Sequence, residues 1–304
     1  MAYVPLFRHF FNGNGNDDTG NGNSVVVDLK TDKAVWGANS LNFLAADGTS
    51  PAASCMMANI SGTGNIGSAF AAVAAETPQT MTIILAIDIN QASSVASTVF
   101  RFGPVSGYSD VSVVVGTSRS LTLRWGRAVD SGGEVEFLGF NSHSLTGKTV
   151  AIFQIDPTQE NSVDVVKCWY NATPVSAIYS VPISTGTRLN SINSEDRYLA
   201  YGSRPDDGAR NSQTELFYGE AGLGLLTAAQ ITKAITKIAA NDSANWDTVN
   251  TVPAIDSPNA DISIKTNWTG SVDLSTGISD ADGDSLSFTS APDLPTGLNL
   301  SSAG

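Results

Sequence analysis

Short apolar runs separated by turn-forming residues fill most of residues 1–240 of this chain. In the run SLTLRWG, Leu121, Leu123 and Trp125 alternate with Thr122 and Arg124, which is the period-two pattern of a strand with one buried face. No helical period separates the runs, so they predict an all-β fold, an antiparallel jelly-roll sandwich. The runs that carry this prediction are SVVVDL, MTIILAIDI, STVFRFG, DVSVVVG, SLTLRWG, EVEFLGF, KTVAIFQID, SVDVVKCWY and RYLAYGS.

One amphipathic helix closes this region. The segment LLTAAQITKAITKIAA places apolar residues three and four positions apart, which gives a single apolar face. Thr227 and Gln230 have the spacing of a capping box, so we expect the helix to begin there and to end at about Ala240. The apolar face consists of Ile231, Ala234, Ile235 and Ile238.

Composition limits the classes of function. The 304 residues are 41% apolar, which is enough for a core, and they carry a formal net charge of -13. This charge excludes sequence-independent nucleic-acid binding, which needs clustered Lys and Arg. No apolar stretch approaches the ~18 residues of a membrane span, so we expect no membrane insertion. The opening MAYVPLFRHFF lacks the basic and apolar regions of a secretion signal.

The cysteines and histidines add little candidate chemistry. Cys55 and Cys168 form neither a disulfide framework nor a CxxC pair, and we expect both to be buried free thiols. His9 and His143 are too few for a histidine-based metal site or a catalytic triad. Nucleophile-elbow and phosphate-loop motifs are absent as well, so the sequence indicates no cofactor other than a cation.

Three segments are predicted along the chain. Residues 1–240 form the β-rich domain with its helix, and residues 241–260 are polar and proline-containing, as in a linker. Residues 261–304 open a second β domain, at about half the length of an immunoglobulin-like sandwich. Because a half sandwich would expose strand edges, we expect the protein to continue beyond this sequence.

Several segments resemble the concanavalin A-like, laminin-G-like jelly rolls. FRHFFNGNGNDDTGNGNSVVVD resembles the first strand and loop of that family, and MTIILAIDINQASSVASTVFRFG resembles one of its strand pairs. TELFYGEAGLGLLTAAQITKAITKIAA resembles the last strand and the closing helix, so the resemblance covers residues 3–240. Asn and Gly tolerate left-handed backbone conformations, so the opening run is expected to be an ordered loop that fixes the first strand. ISDADGDSLSF and APDLPTGLNLSSAG resemble the start of cadherin-like or immunoglobulin-like modules of phage and bacterial surface proteins.

Calcium is the one cofactor that these resemblances imply. Cadherin-like modules bind calcium with acidic motifs, and the segment DADGD offers carboxylates two residues apart. Laminin-G-like folds bind calcium at a loop rim, where the opening loop offers side-chain oxygens. In both places a self-capped turn explains the residues as well. The candidate ligands are Asp280, Asp282, Asp284, Asp17, Asp18 and Asn21.

Some jelly rolls of this superfamily are glycoside hydrolases whose catalytic acids follow the pattern E-x-D-x-x-E. The nearest match is EVEFLG, where Glu134 and Glu136 lie two residues apart but Gly139 stands where the third acid belongs. Two carboxylates can run such a reaction, yet paired glutamates on a solvent-facing strand are far commoner. We therefore expect no catalytic residue and no enzyme.

Sugar binding has two candidate surfaces. Aromatic side chains stack on the faces of pyranose rings, although core packing is the better explanation for most aromatics in strands. The polar loop GSRPDDGARNS could rim a glycan or protein site, and it equally fits a solvated hairpin tip. The aromatic candidates are Trp36, Trp125, Trp169, Tyr170, Tyr198 and Tyr201, and the loop candidates are Arg204, Asp206, Asp207 and Arg210.

The leading interpretation is a non-enzymatic phage virion protein, such as a tail fibre, a head fibre or a capsid decoration, that displays the lectin-like domain. Phage proteins fold in the host cytoplasm and leave by lysis, which fits the missing secretion signal and the unpaired cysteines. The expected partners are other virion structural proteins, copies of this chain in a homo-oligomer, and host-surface carbohydrate, for attachment or particle stabilisation. A bacterial extracellular adhesin is the alternative, and a glycoside hydrolase ranks third.

Overall fold

Two antiparallel sheets pack against each other in the computed structural model, within the unit that spans Met1–Ser243. Both sheets contribute apolar side chains to one core, so the predicted all-β sandwich is confirmed. The structure describes residues 3–19, 24–28, 34–43, 54–60, 80–89, 97–104, 111–116, 119–127, 134–139, 145–156, 158–159, 162–176, 179–180, 196–202, 214–241, 246, 254–255 and 278–279.

The first sheet, called sheet A, is built around two central strands, β6 and β11, whose residues are almost all buried. The first strand of the chain, β1, pairs with β16 next to β4. In spatial order, sheet A contains β13 (Thr173–Val175), β12 (Val166–Tyr170), β11 (Thr149–Ile155), β6 (Met81–Ile89), β16 (Thr214–Leu223), β4 (Leu41–Phe43) and β3 (Ala34–Trp36), with β1 (Val4–Phe10) beside β16.

The second sheet, called sheet B, covers the other side of the core. Val99, Val113, Leu123 and Leu199 project from its strands into that core and are fully buried. In spatial order it contains β14 (Tyr179–Ser180), β10 (Glu134–Gly139), β9 (Leu121–Arg127), β8 (Val111–Val115), β7 (Ser97–Pro104), β15 (Asp196–Tyr201), β5 (Ser54–Ile60) and β2 (Val26–Asp28).

An aromatic cluster joins the two sheets at β1. The ring centre of Phe7 lies 6.3 Å from that of Phe100 on sheet B. The buried His9 places its Nδ1 atom 3.0 Å from the hydroxyl of the buried Tyr201. A Cβ atom at Gly219 would lie only 2.4 Å from the Tyr201 ring, so glycine is required where the ring crosses β16.

The predicted helix, α2 (Ala228–Ala239), is confirmed with its capping box. The Gln230 backbone N–H donates to the Thr227 hydroxyl at 3.3 Å, and the Thr227 backbone N–H donates to the Gln230 side chain at 2.9 Å. The helix ends at Ala240, as expected, and no helix among the described residues is long and apolar enough to cross a membrane. The whole predicted apolar face is buried: Ile231, Ala234, Ile235 and Ile238.

Helix α2 covers the outer face of sheet A, the face turned away from the core. On β6, Ile83 belongs to the core, whereas the next residue, Ile84, points to the outer face because side chains alternate along a strand. Ile84 and its neighbour Ile152 on β11 are nevertheless fully buried, and α2 packs against β11. The continuous apolar runs of β6 and β11 are therefore strands buried on both faces.

Lys148 holds the end of α2 on the sheet. Its Nζ donates to the carbonyl oxygens of Ile238 and Ala239, both at 3.1 Å, and to Asn241 Oδ1 at 2.5 Å. The same ammonium group lies 4.7 Å from the ring centre of Phe217. Partial burial lowers the pKa of Lys148. The lysine thus adds a donor to carbonyl groups at the C-terminal end of the helix, where Ile238 also accepts the Asn241 N–H at 3.1 Å.

Two features of the strand prediction are corrected. The run SVDVVKCWY begins as a one-turn helix, α1 (Ser162–Val165), because the chain reverses there between the antiparallel neighbours β11 and β12. The Asp156 N–H closes this reversal on the Val165 carbonyl at 2.7 Å. Strands β3, β4, β13 and β14 were not predicted, since two or three residues are too few to show a period. Strand β5 was not predicted either; its sequence, SCMMANI, has few β-branched residues.

The opening loop is ordered in residues 11–19, as the sequence predicted. The Asp17 carboxylate accepts the Arg8 backbone N–H at 3.0 Å, and the Asp18 N–H donates to the Arg8 carbonyl at 2.8 Å. Further along, the Val25 N–H donates to the Gly15 carbonyl at 2.7 Å. The loop therefore fixes the first strand and does not act as a linker.

The second unit spans Ala244–Gly304. Its described residues are Trp246 and two short strands, β17 (Ala254–Ile255) and β18 (Ile278–Ser279), which pair antiparallel. The boundaries of the linker at 241–260, and the cadherin-like or immunoglobulin-like nature of 261–304, stay predictions.

Candidate functional site

A pocket of about 340 Å³ opens on the outer face of sheet A, beside the first turn of α2. Strands β11 and β12 form its floor, and the helix forms one wall. We call it the Trp169 pocket, and its lining residues are Gln154, Lys167, Trp169, Ala172, Leu226, Ala228, Ile231 and Thr232. Its size falls in the usual range of small-molecule sites.

Strand alternation brings Lys167 and Trp169 to the pocket together. They lie two residues apart on β12, and between them Cys168 points into the core, where it is a buried free thiol as predicted. Burial raises the pKa of Cys168, so it stays a neutral thiol. Lys167 is exposed and Trp169 is half-buried, which leaves part of the indole surface open to a ligand.

Gln154 supplies a buried amide at the floor of the pocket. It lies directly opposite Lys167 in the β11–β12 register and is 6% exposed. Its Nε2 donates to the Leu226 carbonyl at 2.9 Å, which fixes the orientation of the amide. Its Oε1 accepts no hydrogen bond from any described residue, so this acceptor is available to a bound hydroxyl group.

The first turn of α2 forms the polar edge of the pocket. The capping box satisfies the backbone N–H of Gln230 and that of Thr227. The N–H groups of Ala228 and Ala229, in the same turn, donate to no described residue, as expected for the first turn of a helix. These amides and the helix dipole place partial positive charge beside Lys167.

Asp156 is the acid whose pKa is affected by the charge of Lys167. Burial acts to raise the pKa of Asp156, but hydrogen bonds from Thr158 and Gln159, together with the field of Lys167, hold that pKa below its ordinary value. The Thr158 backbone N–H donates to Asp156 Oδ1 at 3.1 Å and Gln159 Nε2 donates to Oδ2 at 2.7 Å. Lys167 makes no ion pair with a described residue, so its ammonium group remains accessible.

A second charged group lies on the same sheet but is closed to ligands. Arg8 on β1 is 2% exposed, and its Nε donates to Glu220 on β16 at 2.9 Å. The hydroxyl groups of Tyr3 and Tyr218 also donate to the Glu220 carboxylate. Burial, with the charge of Glu220, raises the pKa of Tyr3 well above its ordinary value. We call these four residues the Arg8 cluster, and its burial marks it as structural.

The acidic candidates of the opening loop lie in a self-capped turn. Asp17 Oδ1 accepts hydrogen bonds from the backbone N–H groups of Arg8 and Thr19, both at 3.0 Å, and from the Thr19 hydroxyl at 2.7 Å. This oxygen is therefore not free for a cation. Asp18 is exposed, and partial burial of its carboxyl group raises its pKa. Among the described residues, no three His, Cys, Asp or Glu side chains form a group that could hold a metal ion.

Most of the other predicted site residues fall outside the part of the chain that the structure describes. These are Asn21, Asp280, Asp282, Asp284, Arg204, Asp206, Asp207 and Arg210. Calcium therefore stays a prediction. For the two glutamates of β10, the backbone register pairs Glu134 with Arg127 and Glu136 with Trp125.

Of the six aromatic candidates, Trp169 lines the pocket. Tyr170 and Tyr201 are buried in the core, and Trp36 is half-buried and packs against it. The side chains of Trp125 and Tyr198 are not among those described. Lys167 and Gln154 were not among the residues predicted from the sequence, although VKCWY contains a signal: alternation places Lys167 on the face of Trp169. That Gln154 lies opposite Lys167 follows only from the strand register.

No protein-family model and no curated protein sequence matches this chain. Solved structures do resemble it. A Trypanosoma rangeli sialidase in complex with sialic acid has a TM-score of 0.50 and 14% identity, with 80% of this chain and 33% of the sialidase covered. The binding domain of botulinum neurotoxin DC, in complex with rat synaptotagmin II, has a TM-score of 0.48 and 12% identity, with 77% and 52% covered. The chain thus spans about a third of the sialidase and half of the toxin domain, and the sialidase likeness shows the β-sandwich fold.

The likeness to a sialidase contradicts the prediction that this chain is not an enzyme. That prediction relied on the acid that is missing from EVEFLG. Comparison with this motif can detect only enzymes that use paired carboxylates. Paired carboxylates are not universal among glycoside hydrolases, and about a third of a sialidase resembles this fold. The incomplete motif therefore does not exclude glycoside hydrolysis.

Proposed function

We propose that residues 1–240 are a carbohydrate-binding domain whose sugar site is the Trp169 pocket. The observation that carries this proposal is a half-buried indole beside an unpartnered amide oxygen and an exposed ammonium group in one pocket. A sugar ring has an apolar face, which suits an indole surface, and hydroxyl groups, which need polar partners. The lectin-like β-sandwich supports the proposal.

The pocket offers each part of a sugar a partner. The open part of Trp169 would stack on the C–H face of the ring, and Gln154 Oε1 would accept a hydrogen bond from a ring hydroxyl. Lys167 and the free amides of the first helix turn would donate hydrogen bonds to further oxygens. Because strands and a capped helix hold these groups, little ordering would be needed on binding.

Binding to a glycan array, compared for the wild type, Trp169→Ala and Trp169→Phe, tests this site. We expect the alanine variant to lose about fivefold or more in affinity, since stacking on one aromatic ring is worth about 1–3 kcal/mol by analogy with base stacking. The phenylalanine variant keeps a ring and should retain most of the binding. Unchanged binding by Trp169→Ala would refute the pocket as the sugar site.

For the whole protein, we propose a phage virion component that attaches to host-surface glycans or stabilises the particle. The segment that contains DADGD, which resembles modules of phage and bacterial surface proteins, supports this role. The proposed partners are other virion proteins and further copies of this chain. Mass spectrometry and negative-stain microscopy of native particles test it. Recovery from bacterial envelopes, without particles, would favour the adhesin instead.

Calcium binding by Asp280, Asp282 and Asp284 is part of the same proposal. If these carboxylates bind the ion, calcium should raise the melting temperature of the full chain, and a chelator should reverse the shift. A triple Asp→Asn variant should show no shift. Equal shifts in the variant and the wild type would exclude this site.

Glycoside hydrolysis is the second candidate function. Glu134 and Glu136 stand two residues apart in the sequence of β10, and they are the carboxylate pair proposed for this activity. Release of a fluorogenic aglycone from sialoside and neutral glycoside substrates tests it. If Glu134→Gln and Glu136→Gln abolish an activity that the wild type has, the acids are catalytic; activity that survives both changes would place the reaction elsewhere.

A further inference from the structure

We propose that the Trp169 pocket selects acidic saccharides, that is, sugars that carry a carboxylate such as a uronic acid. This inference rests on the proposed sugar site and adds the charge of its ligand. Within the pocket lining, Lys167 is the charged residue, and no Asp or Glu is present. The chain as a whole has a net charge of -13, so a cationic pocket stands out from its surroundings.

Lys167 is available to a ligand carboxylate. It is exposed, and no described residue pairs with it. The charge of Lys167 already interacts with the Asp156 carboxylate, whose pKa it helps to lower, and hydrogen bonds from Thr158 and Gln159 hold that carboxylate in place. A carboxylate on a bound sugar would meet an ammonium group that forms no salt bridge with a described residue, and the negative charge of Asp156 would offset part of the attraction.

The helix adds to the same preference. Ala228 lines the pocket and its N–H has no described acceptor, so the positive end of the α2 dipole lies at the pocket edge. Gln154 supports a sugar ligand independently of the helix. Its side chain is more than nine-tenths buried and lines the pocket, and its Oε1 accepts no hydrogen bond from a described residue. This oxygen can accept a hydrogen bond, which a sugar hydroxyl can donate and a carboxylate cannot.

These groups together match a ligand that has both a sugar ring with hydroxyl groups and a carboxylate. A simple anion such as phosphate or acetate would satisfy Lys167 and the helix but leave Trp169 and Gln154 without partners. A neutral sugar would satisfy Trp169 and Gln154 but leave the positive charge unmatched. A uronic acid carries a ring face, hydroxyl groups and a carboxylate on one small frame, so it matches the whole lining.

The test compares methyl glucoside with methyl glucuronide, which differ by one carboxylate, on the full chain. Binding is followed through the Trp169 indole N–H resonance, assigned by its loss in Trp169→Phe. We expect the glucuronide to bind roughly fivefold more tightly, as for a partly exposed ion pair of about 1 kcal/mol, and the preference to weaken in high salt. Lys167→Gln should abolish the preference. Lys237→Gln, which removes an equal charge outside the lining, should keep it.

Equal affinity for the two glycosides, or a preference that survives Lys167→Gln, would overturn the acidic-sugar inference and leave the sugar site standing. Absence of binding by either glycoside would overturn the inference as well. If the glycan array is then also negative, the proposed function itself fails. The two failures are thus distinguishable.

Discussion

Arg8 and Lys167 are both cations on the outer face of sheet A, yet their surroundings are opposite. Arg8, on β1, is 2% exposed and bonded to the buried Glu220 carboxylate at 2.9 Å. Lys167, on β12, is exposed at the rim of a pocket and pairs with no described residue. A folded protein tolerates a buried charge only when a fixed partner of opposite charge binds it. An exposed charge is solvated by water and remains able to bind a ligand. The comparison separates a charge that holds the fold from one that can recognise a ligand.

The largest expected effect is on the Arg8 cluster. Glu220→Gln should lower the free energy of unfolding by about 3–5 kcal/mol, because it removes the buried carboxylate that pairs with the Arg8 guanidinium. Urea denaturation measures the loss. Glu215→Gln is the control on the same strand: Glu215 accepts the Ser40 hydroxyl and is half-buried, so its loss should be below about 1.5 kcal/mol. Equal effects would mean that burial of the pair is not what matters.

The next effect concerns the helix that covers the face between the two cations. Lys148→Met keeps the length of the side chain but removes the donors to Ile238 and Ala239. We expect a loss of about 1 kcal/mol in unfolding free energy and faster amide exchange at the end of α2. Lys237→Met, also in the last turn, is the control. If both variants behave alike, general helix electrostatics would explain the result rather than this cap.

A smaller, pH-dependent effect is expected at Asp156. Its pKa is lowered in the folded state, so its contribution to stability is present above the ordinary Asp pKa of about 3.9 and disappears as the pH falls through the folded value. Asp156→Asn should therefore be less stable than the wild type at pH 7, with the difference shrinking below about pH 4. Parallel denaturation curves at both pH values measure it. A difference that does not change with pH would contradict the assignment.

The smallest effect is expected at Lys167, the exposed cation. Lys167→Gln should change the free energy of unfolding by less than about 0.5 kcal/mol, because an exposed side chain without an ion-pair partner contributes little to the fold. Thermal and urea denaturation would show this. A loss as large as that of Glu220→Gln would make Lys167 a structural charge and remove the contrast between the two sites.

Much of the fold followed from local patterns. The capping box of Thr227 and Gln230 is a signal of four residues, and it placed α2 correctly. Alternation and β-branched content located β6 to β12, because each of these strands is long enough to show its period. The short strands β3, β4, β13 and β14 have no period to read, and their positions depend on the neighbours they pair with.

The sequence by itself determined the all-β class, the closing helix, the buried thiol of Cys168 and the ordered opening loop, because each depends on residues that are near one another along the chain. The tertiary structure alone decided which charged side chains are buried and paired and which are exposed to solvent. Arg8 meets Glu220 across more than two hundred residues, and Gln154 meets Lys167 only through strand register. Such pairings follow from how the sheets assemble, and no local pattern contains them.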